Sequence, residues 1–191
     1  MLSTANEHKA DEIQRVLEGF DVELLPRPSD VADVDETADT LEGNALLKAR
    51  TLTSATGEAA IADDTGLFVD ALEGRPGVYS ARYAGERASY DENVAKILRE
   101  LSAVDEARRG AFFRTVIAVT YPDGASWLVE GVLEGTILTS PRGHGGFGYD
   151  PVFAPRSLGG TSLAELAPAE KDAISHRGRA LRAFAERLSI S

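Results

Sequence analysis

Two adjacent aspartates, Asp63-Asp64, stand between the apolar run Ala59-Ala60-Ile61-Ala62 and Thr65-Gly66. Neighbouring residues on a strand face opposite ways, so one carboxylate can turn into a cleft while the other is held behind it. Carboxylates at a strand end suit Mg²⁺, a hard cation that takes oxygen ligands and keeps several waters. The same four residues can equally do no more than form a turn. Glu36, in an acidic loop with Asp33, Asp35 and Asp39, is a second candidate to hold a metal or its water. Taken alone, it reads more simply as a solvated loop acid.

Lysine is scarce. Of the 20 basic residues only Lys9, Lys48, Lys96 and Lys171 are lysine. A chain so sparing of this residue places compact ammonium charges where chemistry asks for them. Lys9 falls in the first turn of a helix, where unpaired backbone N–H groups favour phosphate. Lys48 falls mid-helix, bordering an apolar face. Each one singly is also consistent with a surface lysine whose stem lies along apolar neighbours.

Gly143-His144-Gly145-Gly146-Phe147-Gly148 fits the G-x-G-x-x-G pattern, but Tyr149-Asp150-Pro151 continues as loop where a dinucleotide fold needs a helix. The glycines let the backbone pass close to a ligand, with Phe147 or Tyr149 offering a ring to a base; core aromatics are the competing reading. Ser175-His176-Arg177 opens the last helix, where His and Arg can donate to an oxo group or Arg177 can bridge to an acid. No G-x-S-x-G elbow, no zinc spacing among His8, His144 and His176, and no G-x-x-x-x-G-K-[ST] loop is present.

These residues need elements to carry them. Residues 1–5 predict a short strand. Ile13, Val16, Leu17 and Phe20 give the spacing of an amphipathic helix stopping at Gly19. Residues 21–25 read as a strand, an acidic loop runs from Ser29 to Asp39, and a second helix covers Leu41 to Ser54, closed by Gly57. Residues 59–62 form a short strand that delivers the aspartates, with Leu67-Phe68-Val69 continuing it. Ser89-x-x-Glu92 is a capping box for a helix over Tyr90 to Leu101. Phe112 to Tyr121 and Ser126 to Leu138 form a hairpin around Pro122-Asp123-Gly124. An irregular loop spans Gly143 to Pro155, and Ile174, Leu181, Phe184 and Leu188 mark a C-terminal helix. Early alternation of helix and strand with a late meander predicts an α/β fold with a mixed sheet.

At 191 residues with 43% hydrophobic content, the chain suits one domain or two lobes with a proper core. No apolar run approaches the roughly 18 residues of a membrane span, and the N-terminus has neither a basic nor an apolar signal region. The absence of cysteine excludes disulfides and thiol catalysis. A cytoplasmic protein is expected. A net charge of −11, spread along the chain, disfavours nucleic-acid polymers and anionic membranes as partners. Excess acid with little lysine also points to a halophilic source.

The motifs occur in an order and spacing that resembles one family. Thr4-Ala5-Asn6-Glu7-His8-Lys9, Asn44-Ala45-Leu46-Leu47-Lys48-Ala49 and Ala62-Asp63-Asp64-Thr65-Gly66-Leu67 come first. Pro76-Gly77-Val78-Tyr79-Ser80-Ala81-Arg82-Tyr83 follows, then Phe147-Gly148-Tyr149-Asp150-Pro151-Val152-Phe153. Ala164-Glu165-Leu166, Glu170-Lys171 and Ile174-Ser175-His176-Arg177 complete the set. From end to end the chain resembles the inosine triphosphate pyrophosphatase (XTP/dITP diphosphatase) family.

The resemblance implies a single domain over 1–191 with an elongated α/β fold, two lobes around a central mixed sheet with the active-site cleft between them, and a homodimer. It implies Mg²⁺-dependent hydrolysis of ITP, dITP and XTP to monophosphate and pyrophosphate, which keeps deaminated bases out of DNA and RNA. By motif, Thr4, Asn6, Lys9 and Lys48 would cradle the triphosphate, and Thr65 would touch the substrate. Glu36 and Asp64 would hold Mg²⁺, supported by Asp63, and Asp64 would accept the proton of the attacking water. Phe147, Gly148, Tyr149, Asp150, Lys171, His176 and Arg177 would form the base pocket. Two positions depart from the family pattern: Ala5 replaces a glycine and Gly43 replaces a glutamate, with Glu42 just before it. Adjacent aspartates do not match the Asp-x-Asp of haloacid-dehalogenase-type phosphatases. Ser175-His176-Arg177 argues against septum-formation-type pyrophosphatases, and intact Glu36 and Asp64 against a non-catalytic sensor.

Overall fold

The computed structural model describes residues 1–189 except Ala5, Gly19, Asp21, Glu23, Ser29, Asp30, Asp33 and the side chain of Glu7. Helix α1 spans Glu7–Leu17. Its start is set by Asn6, whose side-chain oxygen accepts from the Lys9 N–H at 3.2 Å, satisfying one of the unpaired donors of the first turn. Helix α2 spans Leu41–Thr56, capped by Thr40 and closed by Gly57 in the left-handed conformation that glycine adopts without penalty.

Strand β1, Ala60–Val69, is longer than the sequence predicts. Asp63 and Asp64 therefore sit in its middle, because Thr65 and Gly66 continue the strand rather than turning. The sheet order is β2-β1-β3-β4-β5, with β2 Pro76–Gly77, β3 Gly110–Thr120, β4 Ser126–Ile137 and β5 Phe153–Pro155. Both edge pairings are antiparallel, Leu67 opposite Gly77 and Thr136 opposite Ala154. The parallel component of the expected mixed sheet is the isolated bridge between Leu2 and Ile61. The predicted hairpin joins β3 to β4, with Tyr121 N–H donating to the Ala125 carbonyl at 2.9 Å.

Two compact units are distinguishable: Met1–Thr65 with Thr115–Gly131 and His176–Ser191, and Gly66–Arg114 with Val132–Ser175. In the first, Ile13 and Leu17 of α1 pack with Ile61, Ile117 and Val119 and with Ala180, Leu181 and Phe184 of α5, His176–Leu188. Each of these side chains larger than alanine contributes about 1.5–3 kcal/mol on burial. Gly131 is required here: a Cβ would strike the His176 carbonyl and the Ala180 N, so any side chain would push α5 off β4. In the second unit, α3 (Tyr90–Glu100) sets Val94 and Ile97, with Leu101 beyond, against Leu67, Val69, Phe113 and Phe153. The predicted capping box of Ser89 and Glu92 starts this helix. Helix α4, Pro168–Ile174, completes the set.

Several expectations are corrected. The strand predicted over residues 1–5 reduces to one bridge at Leu2, with Ala5 outside the described residues. Helix α1 ends at Leu17, and its predicted stop at Gly19 lies outside the described residues. Val22, Leu24 and Leu25 are not in a strand; Asp21 and Glu23 lie outside the described residues, as do Ser29, Asp30 and Asp33 of the acidic loop. The loop from Gly143 closes earlier than predicted, since Asp150–Val152 form a 3₁₀ turn that feeds β5. Ile174 belongs to α4, because Ser175 is extended (φ −62°, ψ 156°) and breaks the helix before α5. Among the described residues, no helix is long and apolar enough to cross a membrane.

Candidate active site

Strand alternation sends the two aspartates to different partners. Asp63 is buried, and its Oδ2 lies 3.2 Å from Lys9 Nζ and accepts from Arg177 Nε and Nη2, each at 3.3 Å. Burial alone would raise this carboxyl, but Lys9 and Arg177 together hold it far below the usual carboxylate range. Among the described residues, Asp63 Oδ1 is the buried side-chain atom with no hydrogen-bond partner.

Asp64 faces α2. Its Oδ1 accepts from Lys48 Nζ at 2.8 Å, and its Oδ2 from Asn44 Nδ2 at 3.4 Å. The same Lys48 ammonium donates to Glu36 Oε1 at 2.8 Å, so one lysine bridges two acids from separate stretches of chain. Asn44 and Lys48 are four residues apart and share a helix face. Asn44 Oδ1 also accepts from Ala38 N–H at 2.9 Å, which ties down the loop carrying Glu36. Gly43 fits this arrangement, since a Cβ there would come within 2.6 Å of Ala38 Cβ. The departure from the family pattern at this position thus has a steric reason.

Burial pushes the Asp64 carboxyl up to about 6, with Glu36 adding to the rise and Lys48 opposing it. Burial also works against Glu36 ionisation, yet Lys48, and after it Lys9, hold Glu36 below its usual range. Lys48, desolvated but surrounded by Asp64, Asp63 and Glu36, is raised. Lys9 is lowered, chiefly by burial. Two carboxylates bridged by one ammonium are a place where a divalent cation can take up the negative charge. Among the described residues no group of three or more acids and histidines converges as a ready cage. That donor set fits Mg²⁺, which binds through one or two carboxylates and completes its shell with phosphate and water.

A second layer runs from Asp63 toward α5. Arg177 Nη1 donates to Glu12 at 2.5 Å, and Nη2 donates to Thr65 Oγ1 at 3.2 Å as well as to Asp63. The guanidinium is therefore engaged by protein groups and positions Asp63. Thr65 Oγ1 lies 2.8 Å from Thr115 Oγ1, which lies 2.6 Å from His176 Nδ1. Thr4 Oγ1 accepts from the Asn6 N–H at 3.2 Å, and Asn6 in turn caps Lys9.

The remaining predicted residues gather in the other unit. Lys171 Nζ donates to Asp150 Oδ2 at 2.5 Å and stands 4.6 Å from the centroid of the Phe147 ring. Asp150 Oδ2 also accepts from the Phe147 N–H at 2.8 Å. Gly146, at φ +68°, cannot carry a side chain because a Cβ would meet the Asp150 carboxyl. Phe147 is half-buried, with the Tyr90 ring 6.0 Å away. Tyr149 is a core residue whose hydroxyl donates to the Ser80 carbonyl at 2.9 Å, and burial raises its phenol. Of the two rings in this segment, Phe147 is the less buried.

The scarce lysines all hold specific positions. Lys96 is the one with a structural role, donating to the Tyr83 carbonyl at 2.6 Å above the Tyr83 ring. Three participants were not singled out from sequence: Asn44, Glu12 and Thr115. Helical spacing carried a signal for two of them, since Asn44 precedes Lys48 by one turn and Glu12 follows Lys9 by three residues. Thr115 is a polar residue inside an apolar β run, which is itself a signal.

The Ham1 family model matches residues 1–187. The chain is 50% identical over 184 residues to the dITP/XTP pyrophosphatase of Thermoanaerobacter sp. (strain X514), covering 95% of this chain and 91% of that protein. It is 48% identical over 190 residues to the dITP/XTP pyrophosphatase of Geobacter sulfurreducens, covering 98% and 95% of the two chains. A HAM1 protein from Coxiella burnetii superposes with a TM-score of 0.91 at 41% identity, over 100% of this chain and 98% of that one. On its sequence, its α/β fold and its motifs alike, the chain belongs to the Ham1 family.

Proposed function

We propose that this chain is a Mg²⁺-dependent pyrophosphohydrolase of deaminated purine nucleoside triphosphates. It converts ITP, dITP and XTP to the monophosphate and pyrophosphate and so keeps them out of DNA and RNA. Relatives named dITP/XTP pyrophosphatases at about half identity support the substrate class. The single structural observation behind the reading is Lys48 bridging Glu36 and Asp64 at 2.8 Å to each, beside the Lys9–Asp63 pair. The reading includes a homodimer in the cytoplasm, working as one domain on nucleotides rather than on nucleic-acid polymers.

Glu36 and Asp64 hold the cation, with Asp63 supporting them from behind. Mg²⁺, when bound, neutralises charge on the phosphates and lowers the pKa of coordinated water. Asp64 accepts the proton of the water that attacks the α-phosphorus in line with the departing pyrophosphate. Lys9, Lys48, Thr4 and Asn6 hold the triphosphate, and Thr65 contacts it; such reactions depend mainly on positioning and electrostatics. Phe147 offers a ring face to the base, and Gly148, Tyr149 and Asp150 shape that segment through backbone and buried contacts. Lys171 holds Asp150 beside the Phe147 ring and Arg177 holds Asp63 and Thr65, while a donor from His176 suits a 6-oxo group and not the 6-amino group of adenine. An unpaired buried polar group disfavours the wrong base by orders of magnitude.

The test is a comparison of kcat/KM for ITP, dITP, XTP, GTP and ATP with and without Mg²⁺. The expected result is activity only with the cation, and a preference for ITP, dITP and XTP over ATP and GTP. Equal kcat/KM for ITP and GTP would remove the substrate assignment.

A further inference from the structure

A chain of hydroxyls links the buried charge cluster to the base-directed histidine, and its proton directions can be worked out. Arg177 is a donor only, so Thr65 Oγ1 accepts from Arg177 Nη2 at 3.2 Å. Thr65 has one proton to give, either to Thr115 Oγ1 at 2.8 Å or back along its own strand to Asp63 Oδ2 at 3.4 Å. A hydroxyl donating to an ionised carboxylate normally sits at roughly 2.5–2.7 Å, so the 3.4 Å contact is the weaker of the two, made to an oxygen already served by Lys9 and two Arg177 N–H groups. The proton goes to Thr115. Thr115 then has its own single proton left for His176 Nδ1, at 2.6 Å. Both links are within the usual O–H range, and Thr115 is fully enclosed, so no solvent competes for its hydroxyl.

We infer that Thr115 is a specificity-determining positioning residue: through Thr65 and Arg177 it fixes His176 as the tautomer with a bare Nδ1 and a proton on Nε2. The other ring nitrogen then presents a donor and not an acceptor. If His176 meets the purine edge, an inference that rests on the function proposed above, a donor there suits the 6-oxo group of hypoxanthine and xanthine. The opposite tautomer would present an acceptor and suit the 6-amino group of adenine. Discrimination against ATP is in this way coupled to a threonine on β3 that does not itself contact the base.

The chain has three histidines, His8, His144 and His176, so long-range ¹H–¹⁵N correlation on histidine-labelled protein resolves them, with His176→Gln giving the assignment. The substrate-free wild type is expected to show His176 with unprotonated Nδ1 and protonated Nε2; a proton on Nδ1 overturns the inference whatever the variants do. Thr115→Val should yield a mixture of tautomers and reduce the ITP-over-ATP ratio of kcat/KM on the order of ten-fold, the effect of about one hydrogen bond. Thr115→Ser, which keeps the hydroxyl, should restore both. An unchanged tautomer in a folded Thr115→Val protein also overturns the inference. A wild-type tautomer as expected, lost in Thr115→Val with no change in the ITP-over-ATP ratio, would instead overturn the placing of His176 against the base.

Discussion

Replacing Asp64 by asparagine should abolish pyrophosphate release and, in metal-free protein at pH 8, raise thermal stability rather than lower it. The magnitude follows from the site. With its carboxyl raised to about 6 from an ordinary 3.8, the ionised form is disfavoured in the fold by up to about 3 kcal/mol relative to the unfolded chain. Asparagine removes that charge while keeping an oxygen for Lys48. It forfeits the bond from Asn44 Nδ2, long at 3.4 Å, at about 1 kcal/mol. The net gain is about 1–2 kcal/mol, which for a protein of this size is roughly 2–8 °C. The sign with pH is fixed by the raised value: the favourable contribution of protonated Asp64 is complete below 3.8 and is lost as pH rises through about 6. The advantage of Asp64→Asn should therefore grow between pH 5 and pH 8. Thermal unfolding of both proteins in EDTA at the two pH values, alongside a pyrophosphate assay with ITP and Mg²⁺, reads the whole prediction. Turnover within a few-fold of wild type, or a variant less stable at pH 8 than at pH 5 relative to wild type, would refute the reasoning.

Asp63→Asn should behave in the opposite way. Asp63 is held ionised by Lys9 and Arg177, so its contribution is present above 3.8 and fades as pH falls below that value; the variant should be destabilised at pH 7, with a deficit that shrinks in acid, as unfolding in urea at several pH values would show. Lys171→Met leaves Asp150 enclosed without its cation and should cost about 3–5 kcal/mol, measured by denaturant unfolding; a loss below 1 kcal/mol would separate the pair from stability. Glu36→Gln should keep the fold but raise the Mg²⁺ concentration needed for half-maximal turnover at least ten-fold, as a magnesium titration would show. The lysine-poor, acidic composition predicts stability that climbs with KCl concentration, and full stability in dilute buffer would contradict a halophilic source.

Specific placement of the lysines was legible in the sequence, because the residue is scarce. A chain with so few lysines uses Lys9, Lys48 and Lys171 in ion pairs with Asp63, with Glu36 and Asp64, and with Asp150. Local signals did equally well: the Ser89 cap, the Gly57 stop and the Pro122-Asp123-Gly124 hairpin need only their neighbours. Partners set by tertiary packing were not legible. Arg177 reads in sequence as a donor toward a base, yet the fold gives its guanidinium to Glu12, Asp63 and Thr65, because α1 and α5 pack together over a distance in sequence that no local pattern records. Tyr149 reads as a possible stacking ring and lies instead in a core. The aspartates read as the end of a strand, since nothing local reveals that Gly66 must continue it against Gly77, whose carbonyl would lie 2.7 Å from a Cβ at that position.

The most direct measurement is a ³¹P spectrum of ITP and Mg²⁺ in ¹⁸O-enriched water after addition of the wild-type protein. Inosine monophosphate and pyrophosphate should grow in equal amounts, with the heavy oxygen on the monophosphate and no orthophosphate. Orthophosphate as the first product, or label on the pyrophosphate, would contradict attack at the α-phosphorus by a water that Asp64 deprotonates.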